Sequence, residues 1–126
     1  DDCYDKFADY MANVAAHFKQ EKDIDFSFIS PVNEPQYNWN EPTQEGTGWQ
    51  NAEIKRLAIA PKCLIGRKRH PPPKSCWRRQ PSWEYTYKSK DDANRSNVIE
   101  SFFNPESDNY VGDLKHVAPI IAAHSY

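Results

Sequence analysis

The chain holds only four glycines and one methionine against ten prolines, and it contains no apolar run long enough to span a bilayer. A membrane helix needs about 20 consecutive apolar residues, so no segment reads as one. An excess of positive charge is also missing: 16 Lys and Arg face 18 Asp and Glu, a formal net charge of -2 at pH 7. Nucleic acid is therefore not the expected partner of the chain as a whole, because neutralising phosphates takes a basic surface. The three cysteines, Cys3, Cys63 and Cys76, are odd in number and show no C-x-x-C spacing, so they indicate neither a metal site nor a redox compartment. Asp1 is neither an initiator Met nor the start of a signal peptide, and Tyr126 reads as the end of a strand. With 126 residues, the chain is expected to be an internal piece of a larger domain. What it does have, 38% hydrophobic and 13% aromatic residues, is enough for a globular segment.

Tyr4, Phe7, Met11, Val14 and Phe18 recur at spacings of three and four, with Ala8 and Ala15 beside them. That stripe predicts a helix packed on a sheet, its aromatics and methionine serving as core. Asp23-Ile24-Asp25 makes a turn, and Phe26 to Val32 follows as a short, nearly continuous apolar run, the pattern of a parallel strand covered on both faces. A polar loop over 36–48 carries Tyr37 and Trp39, and 49–60 reads as the next helix, with Ile54, Leu57 and Ala58 inward. Asp91-Asp92 is placed to cap a further helix that buries Val98, Ile99, Phe102 and Phe103 and stops at Asn104-Pro105. Val117 to His124 supplies another short strand. Strand, helix, strand in alternation is an α/β pattern, and no internal repeat is visible.

The chemistry-bearing stretch is Ile29-Ser-Pro-Val-Asn33-Glu34-Pro35, where an amide and a carboxyl stand side by side as an apolar strand breaks into a loop. Pro35 disfavours the α region for the residue before it, so Glu34 is expected to stay extended and project from the strand tip. On its own, Asn-Glu-Pro is equally a solvated turn. Its flanks are more specific. Phe28-Ile-Ser-Pro-Val-Asn-Glu-Pro-Gln-Tyr37-Asn-Trp39 and Gln44-Glu-Gly-Thr-Gly-Trp49-Gln-Asn-Ala-Glu-Ile54 resemble a retaining glycoside hydrolase of family 30, with the closest likeness to its endo-β-1,6-galactanase-like members. The resemblance covers about residues 4 to 60 and resumes from Trp83 to Tyr126, through Tyr110-Val-Gly-Asp-Leu-Lys-His-Val and Ile120-Ile-Ala-Ala-His124-Ser-Tyr126.

The resemblance implies a partial (β/α)8 TIM barrel, about its middle strands and helices, running from the fourth strand to the sixth. In such barrels catalysis sits at the carboxyl ends of the strands. It further implies that Glu34 is the general acid/base and that Asn33 bonds the sugar hydroxyl beside the reacting carbon. The nucleophile would lie on the seventh strand, beyond Tyr126, so the chain alone is expected to be inactive. Tyr37 and Trp39 either stack on sugar rings or pin the loop to the barrel. His124 and Tyr126 fall at the tip of the sixth strand as substrate contacts. Glu45 and Trp49 either approach the cleft or merely begin the next helix, whereas Glu53 and Glu84 read as solvated or paired carboxylates. The residue types fit glycoside cleavage, in which one carboxylic acid protonates the leaving oxygen and a second carboxylate attacks the anomeric carbon. No cofactor or metal is needed. The implied partner is a β-linked polysaccharide such as a β-galactan, not nucleic acid or membrane, and the implied location is secreted, periplasmic or cell-surface. A non-catalytic carbohydrate-binding piece is the alternative.

Residues 61–82 break the pattern. They hold Lys62, Arg67, Lys68, Arg69, Lys74, Arg78 and Arg79, a Pro71-Pro72-Pro73 run and no acidic residue, where a barrel needs its fifth strand. Neither strand nor helix is expected there. Three readings stand: a basic nucleic-acid-binding insertion, an irregular solvated loop, or a stretch translated out of frame. The third is favoured, because the resemblance stops near Ala60 and returns abruptly at Trp83.

Overall fold

The computed structural model describes residues 3–37, 39–40, 45–60, 74–80 and 82–124, with the backbone alone for 74–80. Tyr4–Lys22 form helix α1. Ala8 and Ala15 are its buried residues, Tyr4, Phe7, Met11 and Val14 are half-buried, and Phe18 is exposed. The centre of the predicted stripe is thus alanine, small enough for Ala8 to pack directly against Ala60. Asp23 ends the helix with φ 52°, and the Ile24 N–H donates to Phe18 O at 3.2 Å. Lys19 then pins the turn, reaching Asp25 at 2.7 Å and Asp23 at 2.9 Å. These two carboxylates, Asp25 foremost, hold the lysine above its ordinary pKa.

The strand expected over 26–32 is shorter. Only Phe28–Ile29 form β1, with an isolated bridge at Asn33, and Phe28 is 47% exposed rather than covered. β1 is the outer strand of the sheet, so among the described residues one of its flanks has no neighbouring strand to extend the pairing. Asn51–Ile59 form α2, opened by a reciprocal capping box in which Glu53 Oε2 accepts the Gln50 N–H at 2.7 Å. Its inward residues are Ile54, Leu57 and Ala58, as the periodicity predicts. Asn51 is buried too, donating from Nδ2 to Ser96 O at 3.1 Å.

The expectation that 61–82 holds no strand is overturned in part. Lys74–Gln80 form β2, the central strand, parallel to both neighbours. The prolines that argued against it lie outside, at Pro73 and Pro81, so every residue between them keeps its backbone donor. Composition averaged over the whole basic stretch hid this. The pairing is irregular, with register shifts between Ser75 and Trp77 and between Trp77 and Arg79. Residues 61–73 and 81, with the rest of that anomaly and the triproline run, lie outside the described residues.

Glu84–Tyr87 form the short α3, unforeseen in the sequence, and Lys90 and Lys88 on Glu84 hold its carboxyl below the ordinary range. The helix expected from Asp91-Asp92 is split. Asp92 caps a 3-10 turn at Ala93–Arg95, accepting from the Asn94 N–H at 2.8 Å, and α4 (Val98–Phe103) starts only after Asn97, whose φ of 50° breaks the spiral. Val98 and Phe102 are buried, while Ile99 is exposed. Val117–Ala123 form β3.

The three parallel strands lie in the order β1-β2-β3, each reached through a helical crossover. That sequential order is shared by a segment of a barrel and by one half of a doubly wound sheet. What is present is a three-stranded sheet with helices; no closed barrel forms among the described residues. The core joins Val32, Ile54, Leu57, Ala58, Val98, Phe102, Val111 and Val117, so α2 and α4 pack around the sheet residues. Among the described residues no helix is long and apolar enough to cross a membrane.

Candidate active site

Because the strands are parallel, the carboxyl ends of β1 and β3 share one rim. Glu34 follows β1 and His124 follows β3 directly, and they meet: His124 Nδ1 lies 2.6 Å from Glu34 Oε1. Both side chains are largely covered, at 21% exposure for the imidazole and 10% for the carboxyl. A carboxylate kept from water in this way needs a partner, and the imidazole is one.

Glu34 is not extended, as expected, but has φ 44°. Pro35 does exclude the right-handed region. The choice of the left-handed one follows from the turn, in which Glu34 O accepts the Tyr37 N–H at 3.1 Å while Pro35 is fully buried. Pro35 O in turn accepts the Trp49 N–H at 2.8 Å, tying the turn to the start of α2. A positive φ on a residue with a side chain is strained, and such strain is common where geometry serves chemistry.

The other expected residues separate into distinct roles. Asn33 is exposed and lines a cavity of about 240 Å³ together with Phe7, Pro31, Val32, Trp39, Glu45, Gly46, Thr47 and Trp49. Tyr37 is 47% exposed and meets the Trp39 ring edge-on at 5.0 Å, outside that cavity. Trp39 lies over Gly46 so closely that a Cβ there would fall 2.4 Å from the indole. Trp49 stacks on Phe7 at 6.0 Å and meets Tyr4 edge-on at 6.1 Å, which fixes the loop to α1. Glu53 and Glu84 are engaged in the cap and in lysine pairs, as expected. Tyr126 lies outside the described residues.

Sequence reading missed Gln36 and Thr47. Gln36 is buried beside the site, and neither atom of its amide has a hydrogen-bond partner among the described residues. Its position directly after Glu34-Pro35 was the only available signal. A larger cavity, about 380 Å³, is lined by Cys3, Tyr4, Phe7, Thr47, Gly48, Trp49 and Glu53. Neither cavity is lined by Glu34 or His124, and only the smaller one includes their neighbour Asn33. Among the described residues no cluster of three or more His, Cys, Asp or Glu is placed to hold a metal ion.

A sequence model of O-glycosyl hydrolase family 30 matches residues 1–126. The chain belongs to that family. The crystal structure of a conserved exported protein from Bacteroides fragilis is similar, with a TM-score of 0.86 and 26% identity. The likeness covers 100% of the family 30 chain described here and 26% of that protein, so this chain spans about a quarter of its length. No curated protein matches.

Proposed function

We propose that this chain carries the acid/base half of a retaining glycoside hydrolase acting on β-linked polysaccharide, with β-1,6-galactan the first substrate to test. The observation that supports it most is the covered Glu34 carboxyl against His124 at the carboxyl ends of two parallel strands. Membership of family 30 supplies the reaction class.

Glu34 protonates the glycosidic oxygen as the bond breaks, then takes a proton from the water that releases the sugar from the enzyme. The His124 contact serves both steps. The Nδ1–H donates to Oε1 in both states, so that when Glu34 is protonated its proton sits on Oε2, facing the glycosidic oxygen. The carboxyl keeps its orientation while its proton comes and goes. Asn33, beside it, reaches the hydroxyl next to the reacting carbon. The nucleophile, about 5–5.5 Å from the acid in retaining enzymes, belongs to a strand outside this chain. Export from the cell fits both a polymer substrate and the similar exported protein.

The test is made in the whole protein that contains this chain. Glu34→Gln is expected to cut reducing-sugar release from β-1,6-galactan by about 10²–10⁴-fold, and to slow the glycosylation step far less on substrates whose leaving group needs no proton. Equal loss of that step on both substrates overturns the acid role. His124→Ala is expected to lose about 10²-fold by misplacing the carboxyl, again chiefly on the unactivated polymer.

A further inference from the structure

We infer that Asn51 is a positioning residue for the reaction, tying the turn that carries Glu34 to the strap of backbone over 88–97. The inference rests on the reading of Glu34 as the acid/base, and it names a group that acts on that residue through the backbone rather than by touching substrate.

The strap is organised around one side chain. Ser96 is fully buried; its hydroxyl donates to Asp92 O at 2.8 Å and accepts the Lys90 N–H at 3.1 Å, while the Asn97 N–H closes the loop on Lys88 O at 3.0 Å. The Ser96 carbonyl is used outside the strap. It accepts from Nδ2 of Asn51, 45 residues away, at 3.1 Å. Asn51 opens α2 two positions after Trp49, and the Trp49 N–H is held by Pro35 O at 2.8 Å. Two hydrogen bonds and three consecutive residues thus lead from the strap to the residue after Glu34. A second contact braces the same stretch: the Arg95 guanidinium lies against Gly48, where a Cβ would fall 2.6 Å from Nη1.

The residue type points to orientation rather than filling. Asn51 is 3% exposed, on the helix whose other buried residues are Ile54, Leu57 and Ala58, and an apolar side chain would occupy that space without desolvating an amide. What an amide adds is direction, because a buried hydrogen bond fixes its two partners in one arrangement. Glu34 needs such support. Its φ of 44° is strained, and a strained residue keeps its conformation only where the surroundings hold it. A carboxyl that must meet a glycosidic oxygen loses about 10²-fold in rate for a displacement of about 1 Å.

The experiment uses the whole protein that contains this chain. Asn51→Leu removes the donor; Ser96→Ala is milder, leaving the carbonyl that Asn51 bonds but releasing Lys90 and Asp92, and it carries the test if Asn51→Leu does not fold. Amide hydrogen exchange and kcat/KM on β-1,6-galactan and on an aryl galactoside are measured for both. In Asn51→Leu the Tyr37 and Trp49 amides are expected to exchange about 10-fold faster while those of α1 keep their rates. Its kcat/KM is expected to fall about 10- to 100-fold on the polymer and no more than about threefold on the aryl galactoside, whose leaving group needs no proton. Ser96→Ala is expected to move both readouts the same way and less far. Unchanged exchange at Tyr37 and Trp49 in both variants overturns the inference. So does an equal loss on the two substrates, the mark of general loosening. Should Glu34→Gln itself lose equally on both, the acid role of Glu34 fails, and faster exchange at Tyr37 and Trp49 still establishes Asn51 as the group that fixes its turn.

Discussion

Glu34 combines a covered carboxyl with a left-handed backbone, and the two features can be separated by substitution. Glu34→Ala and Glu34→Gly both remove the carboxylate and the His124 contact, but only alanine keeps a Cβ at φ 44°. Glycine is expected to be the more stable variant by about 1 kcal/mol, read by denaturant unfolding of the whole protein. Equal stability would mean that the backbone relaxes and stores no strain there. Gln36 makes the converse case. Its amide is buried without a partner among the described residues, so Gln36→Met, of similar shape and no polar atoms, is expected to raise stability by about 1 kcal/mol in the same assay. A local motif singles out Asn33 and Glu34 in the sequence, and the structure sets Glu34 against His124 at the strand ends. The φ of Glu34 was not legible there, because the proline rule excludes one region without choosing between the others, and the choice falls to the Tyr37 turn and the partner at His124.

Helices proved more legible than strands. The α2 core face follows from local periodicity, whereas β1 shrinks to Phe28–Ile29 because an edge strand depends on neighbours that a local pattern does not contain. Val98 and Phe102 were likewise foreseen as core, but the break at Asn97 depends on a left-handed residue with no strong signature. For β2 the error came from averaging: proline and charge over 61–82 outweighed the seven-residue window between Pro73 and Pro81. Its pairing with β3 carries two register shifts. A frame-shifted origin predicts that reading codons 61–82 in the other frames yields an apolar strand leading into Trp83. Stop codons or polar sequence in every alternative frame would make the basic segment the chain's own.

As a molecule, the three-stranded sheet leaves β1 and β3 each with an unpaired edge among the described residues, and Phe26, Phe28 and Ile24 are exposed near the first of them. The 126-residue chain made alone is expected to aggregate and to release no reducing sugar from β-1,6-galactan. Release that Glu34→Ala abolishes would show that a second carboxylate within the chain completes the site. The contact between Glu34 and His124 has one more implication. The two residues stand far apart in the chain and meet once β2 is seated between their strands, so Glu34 acquires its partner through a long-range pairing. Contacts of high sequence separation form slowly, after local helices. If Glu34 acts as proposed, turnover of the whole protein should therefore lag behind the recovery of helical circular dichroism during refolding, making its onset a clock for the assembly of the sheet.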